Sequence, residues 1–343
     1  MTRVAAVDCG TNTIRLLVAD IVRDGPDGAV RLRPLHRSSS IVRLGQGVDR
    51  TGRFDAEALE RTLAVVREYA ATCTALQVPL DAAHARFVAT SATRDAENRD
   101  EFVAGVHDAL GILPEVVTGQ EEARLSFAGS LLGAGGGAVA GDEDGEAAGG
   151  GALSSPRLVV DLGGGSTELV LGVAAPQSAY SMNTGSVRIT ERHLADGVTP
   201  AADAAARAEV RALLDRAADA VDLGAAARLV GLAGTISTVT AHALGLESFD
   251  REAIDGAELS VERVLAACDA IVHSTAAQRE SWGYLLPGRR DVIAAGALVW
   301  SEVVARVVAD TTAAGHPLTM TVTSLSDILD GIAVSLAPAG EAA

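Results

Sequence analysis

Lysine is absent from this chain: all 28 basic residues are arginine. That excludes mechanisms built on an amine, such as a Walker A lysine, a kinase strand lysine or a Schiff-base lysine. Positive charge is scarce overall, because the acidic residues leave a formal net charge of −17. General nucleic-acid binding needs a basic face that neutralises phosphates and is not expected. Any phosphate site must rest on local arginines, backbone amides and a metal instead of the global field. Cysteine is limited to Cys9, Cys73 and Cys268. They show no CxxC or zinc spacing and suit a reducing cytoplasm. Aromatics make up only 3%, so the cores must pack from Ala, Val, Leu and Ile, as close-packed α/β layers do. Long uninterrupted apolar runs are missing too. The most apolar C-terminal stretch, residues 292–309, carries Ser301, Glu302 and Arg306. It reads as a buried helix, and no membrane association is expected. Residues 4–7 open directly as a strand with no signal-peptide signature, so a cytoplasmic location is expected.

What is present is a long, apolar-rich chain. Its 343 residues, 48% apolar, suit about two domains at roughly 150 residues each. Val4-Ala5-Ala6-Val7 is a strand that ends in Asp8-Cys9-Gly10-Thr11-Asn12 and resumes as a second strand from Ile14. A turn at 24–28 precedes a third strand near 29–35. Helical spacing predicts a helix over 55–76, with Asp55 as its N-cap. A strand at 85–90, a helix at 95–110, a strand at 115–118 and a helix from Gly119 follow. Residues 133–156 are rich in Gly, Ala, Asp and Glu and cannot bury apolar surface, so they are expected to be disordered.

After that segment the first pattern recurs. Leu158-Val159-Val160 ends in Asp161-Leu162-Gly163-Gly164-Gly165-Ser166-Thr167, a strand resumes at Glu168, and a third lies at 178–182. We read an internal duplication. Helices are expected near 187–194, 200–221, 235–244, 260–273, 290–309 and 327–336, with strands at 228–230 and 318–323. The expected domains are 1–132 and 157–343, separated by the 133–156 insertion, with the C-terminal helix packing back on the first.

Each duplicated turn has the character of an anion site. Glycine lets the backbone approach closely, and successive N–H groups form a concavity for phosphate. Gly10, Thr11, Asn12 and Thr13 serve in the first turn, and Gly163, Gly164, Gly165, Ser166 and Thr167 in the second. An aspartate precedes each, Asp8 and Asp161. A carboxylate repels phosphate but can hold a hard cation beside it.

The chain resembles the exopolyphosphatase/guanosine pentaphosphatase family. The matching stretches are Ala6 to Leu16, Thr90-Ser91-Ala92-Thr93-Arg94-Asp95-Ala96-Glu97-Asn98 and Gly119-Gln120-Glu121-Glu122-Ala123-Arg124. Asp161 to Glu168, Gly185-Ser186-Val187-Arg188 and Gly234-Thr235 continue the series in the same order. The resemblance implies an α/β fold of two duplicated actin-like domains, of the ribonuclease H-like, sugar-kinase, chaperone and actin superfamily, with an interdomain cleft. It implies hydrolysis of a terminal phosphoanhydride, with Mg²⁺ or Mn²⁺ as cofactor and a homodimer as the assembly. Motif register puts the general base on Glu122, with Glu121 the alternative. Asp161 and Glu168 are the metal-side carboxylates, with Asp8 a third. Arg94 is the first candidate for bidentate phosphate contact, followed by Arg15 and Arg188. Ser91, Gly234 and Thr235 complete the phosphate set. Arg43, Arg289 and Arg290 could lengthen a basic track for a polymer.

Two departures stand out. The family's C-terminal Gly-Leu-Arg-Glu-Gly segment reads Asp327-Ile328-Leu329-Asp330-Gly331 here, so an arginine is replaced by Leu329. No His-Asp signature follows in the sequence, so the short form of the family is expected. Inorganic polyphosphate and guanosine pentaphosphate both present the required bond, and the turns do not distinguish them. A phosphate-sensing regulator without turnover is the reading from another class, but a sensor needs no Glu-Glu-Ala segment.

Overall fold

The computed structural model describes residues 2–24, 29–133 and 155–337. The interior of the 24–28 turn and residues 134–154 of the expected disordered insertion lie outside the described residues. The chain forms two compact units, Met1–Gly129 with Ile328–Ala343, and Ser130–Asp327.

The first unit begins with an antiparallel meander, β1 (Thr2–Cys9), β2 (Thr13–Asp24) and β3 (Ala29–Ile41). Next come α1 (Val48–Thr51), α2 (Ala56–Ala75), β4 (Ala85–Ala89), α3 (Ser91–Asp95), α4 (Arg99–Leu110), β5 (Glu115–Val116) and α5 (Gly119–Ser130). The sheet order is β3-β2-β1-β4-β5, with β4 parallel to both β1 and β5. Alternation along β1 separates two cores. Ala5, Val7 and Cys9 face one cluster with Phe87, Val66 and Phe102. Val4 and Ala6 face another with Leu17, Val88 and Leu125. A strand buried on both faces reads as a continuous apolar run, which is what residues 4–7 are.

The second unit repeats this plan. It contains β6 (Arg157–Leu162), β7 (Thr167–Gly172), β8 (Pro176–Met182), α6 (Ser186–Ile189) with a π-type turn to Leu194, α7 (Pro200–Ala218) and β9 (Arg228–Leu232). Then follow α8 (Ala233–Leu244), α9 (Arg251–Ile254), β10 (Glu258–Ser260), α10 (Val261–Val272), α11 (Ala276–Ser281), α12 (Ile293–Ala313) and β11 (Met320–Thr323). Its sheet runs β8-β7-β6-β9-β11, with β10 added antiparallel at the edge. The first five strands match the first unit in order and in every parallel or antiparallel pairing. Finally α13 (Ile328–Ser335) returns to the first unit, where Ile328, Leu329 and Ile332 join the Val4–Leu125 core. No helix among the described residues is long and apolar enough to cross a membrane.

Three elements differ from the sequence reading for physical reasons. The single helix expected over 95–110 is broken, because Ala96 is extended (φ −85°, ψ 126°). There the Glu97 N–H donates to Gly52 O at 2.8 Å, and Asn98 Oδ1 accepts from the Phe54 N–H at 2.8 Å. Those bonds hold the chain out of helix. The third strand, expected near 29–35, runs on to Ile41. Pro34 sits at a register shift on an edge strand, where its missing N–H costs no ladder bond. The short β10 carried no periodic signal and exists because β11 offers it an edge.

Candidate active site

The turn after β1 closes when the Gly10 N–H donates to Thr13 O at 2.9 Å. The turn after β6 closes the same way, Gly163 N–H to Ser166 O at 3.0 Å. The segment after the third strand then takes up the turn's carbonyls. Thr11 O accepts from the Gly45 N–H at 2.8 Å, and Asn12 O from those of Val42 and Arg43 at 3.0 Å. In the second unit, Gly163 O accepts from the Ser186 N–H at 3.1 Å and Gly164 O from that of Val187 at 2.9 Å. Arg188, itself buried, donates its Nε to Gly165 O at 2.6 Å. Glycine at 185 is what permits this approach, since a Cβ there would lie 2.6 Å from Gly163 O. With their carbonyls occupied, the turns keep four amides that donate to nothing among the described residues: Thr11, Asn12, Gly164 and Gly165. Unpaired amides at a glycine turn are what an anion requires.

The two hairpins share one register but differ in one charge. Asp8 lies opposite Arg15, and Asp161 lies opposite Glu168 at the same spacing. Arg15 donates Nε and Nη2 to Asp8 Oδ2 at 2.9 and 2.7 Å. The first unit therefore meets its carboxylate with an arginine. Asp8, expected on the metal side, and Arg15, expected on the phosphate, are thus paired with each other. In the second unit two carboxylates stand side by side on one face of the sheet, 7% and 1% exposed for Asp161 and Glu168. Ser181 Oγ donates to Glu168 Oε1 at 2.7 Å. Neighbouring carboxylates favour positive charge beside them. Among the described residues no three His, Cys, Asp or Glu side chains converge on a metal position. A cation here would keep waters and phosphate oxygens in its shell, as Mg²⁺ does.

In the first unit, Thr11 Oγ1 and Ser91 Oγ share a hydrogen bond of 3.0 Å, which ties the phosphate turn to α3. Further along α3, Arg94 donates Nη1 to Glu122 Oε2 at 2.7 Å and to Val117 O at 2.9 Å. Glu122 is buried. Its neighbour Glu121 is more exposed and pairs with Arg86 at 3.3 Å. The two glutamates therefore have different surroundings, a distinction that motif register alone had made.

Gly234 and Thr235 sit where β9 enters α8. The entry is strained: Ala233 takes a left-handed conformation (φ 72°) with no glycine to excuse it. The Arg289 guanidinium lies against Gly234, where a Cβ would fall 1.3 Å from Nη1. Gly296 on α12 lets Thr235 and Ser186 pack together, with its missing Cβ 2.5 Å from Thr235 Oγ1 and 3.2 Å from Ser186 Cβ. Thr235, Ser186 and the second turn thus form one cluster. The sequence reading did not assign Ala233 or Gly296. A glycine inside the Ile293-Ala294-Ala295-Gly296 helical run was a usable signal of close packing; alanine at a left-handed position has none. Cys9 is buried and burial lifts its thiol well above the ordinary range, so it stays protonated beside the turn. His193 and His242 are bonded to Glu209 and Tyr284.

The sequence profile of the Ppx/GppA phosphatase family matches residues 18–137 and 144–311. The chain belongs to that family. It is 44% identical to Exopolyphosphatase 2 of Mycobacterium tuberculosis over 98% of this chain and 99% of that one. The crystal structure of an exopolyphosphatase-like protein superposes with a TM-score of 0.85 at 44% identity, covering 97% of each chain. An exopolyphosphatase structure from Cytophaga hutchinsonii shares the fold, with a TM-score of 0.78 at 22% identity over 98% and 97% of the two chains. Family membership agrees with the duplicated α/β plan of the two sheets.

Proposed function

We propose that the chain removes the terminal phosphate of inorganic polyphosphate by metal-assisted attack of water. The observation that carries this is the connected set of turn amides, Thr11–Ser91 bond and Arg94–Glu122 pair in the first unit. It couples an anion cradle to a buried carboxylate and a guanidinium. Glu122 orients the water and takes its proton as the oxygen attacks the terminal phosphorus. The bridging P–O bond breaks, and the shortened chain leaves with the electron pair. In the first unit Arg94 and the turn amides bind the phosphoryl oxygens; Arg188, Gly234, Thr235 and the second turn are the anion-binding groups of the other unit. The donor set of Asp161 and Glu168 suits a hard divalent ion, Mg²⁺ or Mn²⁺, which when bound would supply charge neutralisation for phosphate oxygens. A cytoplasmic homodimer belongs to the same proposal. The test is phosphate release from long-chain polyphosphate, guanosine pentaphosphate and ATP, side by side with Mg²⁺. Polyphosphate is expected to be the fastest. Preference for guanosine pentaphosphate would transfer the activity to that substrate, and no release from any of them would leave a phosphate sensor.

A further inference from the structure

We propose a second binding subsite for a phosphate-rich anion in the first unit, in the concavity between α1 and the start of α2. The concavity holds about 580 Å³ and is lined by Arg50, Arg53 and Arg61. Three arginines in one hollow are unusual in a chain of net charge −17. Their engagement is uneven. The Arg50 side chain is exposed and makes no hydrogen bond or ion pair among the described residues. Arg53 has only loose, exposed pairs with Glu97 at 3.6 Å and Glu101 at 3.8 Å. Arg61 spends Nε on Val42 O at 2.8 Å.

Two acids share the lining and leave it a single positive charge in excess. Asp55 caps α2, accepting from the N–H groups of Glu57 and Ala58 at 3.0 and 3.1 Å. Glu57 is the other carboxylate on the wall. Pairs such as Arg53–Glu97 are worth little in water and yield readily to a better ligand. A polyanion offers that: guanidinium forks match phosphate oxygens two at a time.

The walls are built, not loose. Left-handed glycines flank α1, Gly47 at φ 76° and Gly52 at φ 68°. Asn98 clamps the Phe54 peptide from both sides, accepting its N–H at 2.8 Å and donating to its carbonyl at 3.3 Å. The Ser91–Asn98 motif thus serves two places. Its Arg94 end meets Glu122, and its Asn98 end holds the arginine hollow. Segment 42–47 is a shared wall: Val42, Arg43 and Gly45 grip the phosphate turn, while Gln46 and Gly47 line the hollow. Phosphates further along a bound chain would find these arginines next. Naming a polymer as the occupant rests on the proposed substrate; naming an anion does not.

The test titrates Arg50→Glu and the double variant Arg50→Ala/Arg53→Ala by calorimetry against long-chain polyphosphate, tripolyphosphate and inorganic phosphate. EDTA keeps metal-dependent hydrolysis silent. The variants are expected to bind the long chain about tenfold more weakly, with a shallower salt dependence and unchanged tripolyphosphate binding. Equal loss for inorganic phosphate or tripolyphosphate would identify a small free anion as the occupant. Unchanged binding of all three probes overturns the subsite. Because the readout is binding, it stands even if polyphosphate proves not to be hydrolysed.

Discussion

Replacing Glu122 by glutamine exchanges one carboxylate oxygen for an NH₂ and leaves the side-chain volume nearly the same. The amide oxygen can still accept from Arg94 Nη1, now 2.7 Å from Oε2. What is lost is the ability to take a proton from water. General-base catalysis contributes about 10²–10⁴ in rate, or roughly 2.7–5.4 kcal/mol at 1.36 kcal/mol per decade. The structural cost is smaller. Arg94 keeps Val117 O at 2.9 Å, so weakening one charged hydrogen bond costs about 1 kcal/mol and a few degrees of Tm. Expected is kcat for phosphate release down by two to four decades, KM within about threefold of wild type, and a folded protein by circular dichroism. Glu121→Gln is the internal control. Among the described residues the Glu121 side chain pairs with Arg86 in a part-buried contact, worth about 1 kcal/mol, so its kcat should stay within about fivefold. A Glu122→Gln enzyme within tenfold of wild type, or a Glu121→Gln enzyme equally impaired, would refute the reasoning.

Gly331→Ala would place a Cβ 1.9 Å from Leu125 O, a backbone clash that must lift α13 from its seat. Overpacking of this kind costs about 3 kcal/mol, and chemical denaturation should show it as a lower midpoint for the first unit. Asp161→Asn removes the carboxylate paired across the strands with Glu168; the Mg²⁺ concentration for half-maximal rate should rise at least about tenfold, and an unchanged metal requirement would remove the pair from that role. His242 is held below its ordinary value by burial, with Nδ1 bonded to Tyr284 Oη at 2.7 Å. A depressed folded pKa means the unfolded chain takes the proton first. Its contribution is thus intact above pH about 6.5 and is lost as pH falls through that value toward the folded pKa. The Tm difference between wild type and His242→Gln should therefore shrink from pH 7.5 to pH 5.5, and a constant difference would count against it.

The sequence by itself determined the two strand–Asp–Gly hairpins, their duplication and most of the helices. These are local matters: glycine permits the turn, and apolar alternation places a strand between two layers. It also determined family membership, because the motifs fall in order along the chain. Only the tertiary structure decided how the charges are shared. Arg15 and Glu168 occupy equivalent places in the two hairpins, yet one neutralises Asp8 and the other doubles the charge beside Asp161. That difference depends on cross-strand register, which a linear reading cannot assign to a charge. The same holds for Glu121 and Glu122, adjacent in sequence but turned toward Arg86 and Arg94 by one helical step. The left-handed Ala233 and the Asn98 clamp on Phe54 likewise follow from packing between distant segments. Local chemistry chose the turns, and long-range packing chose which side chains face them.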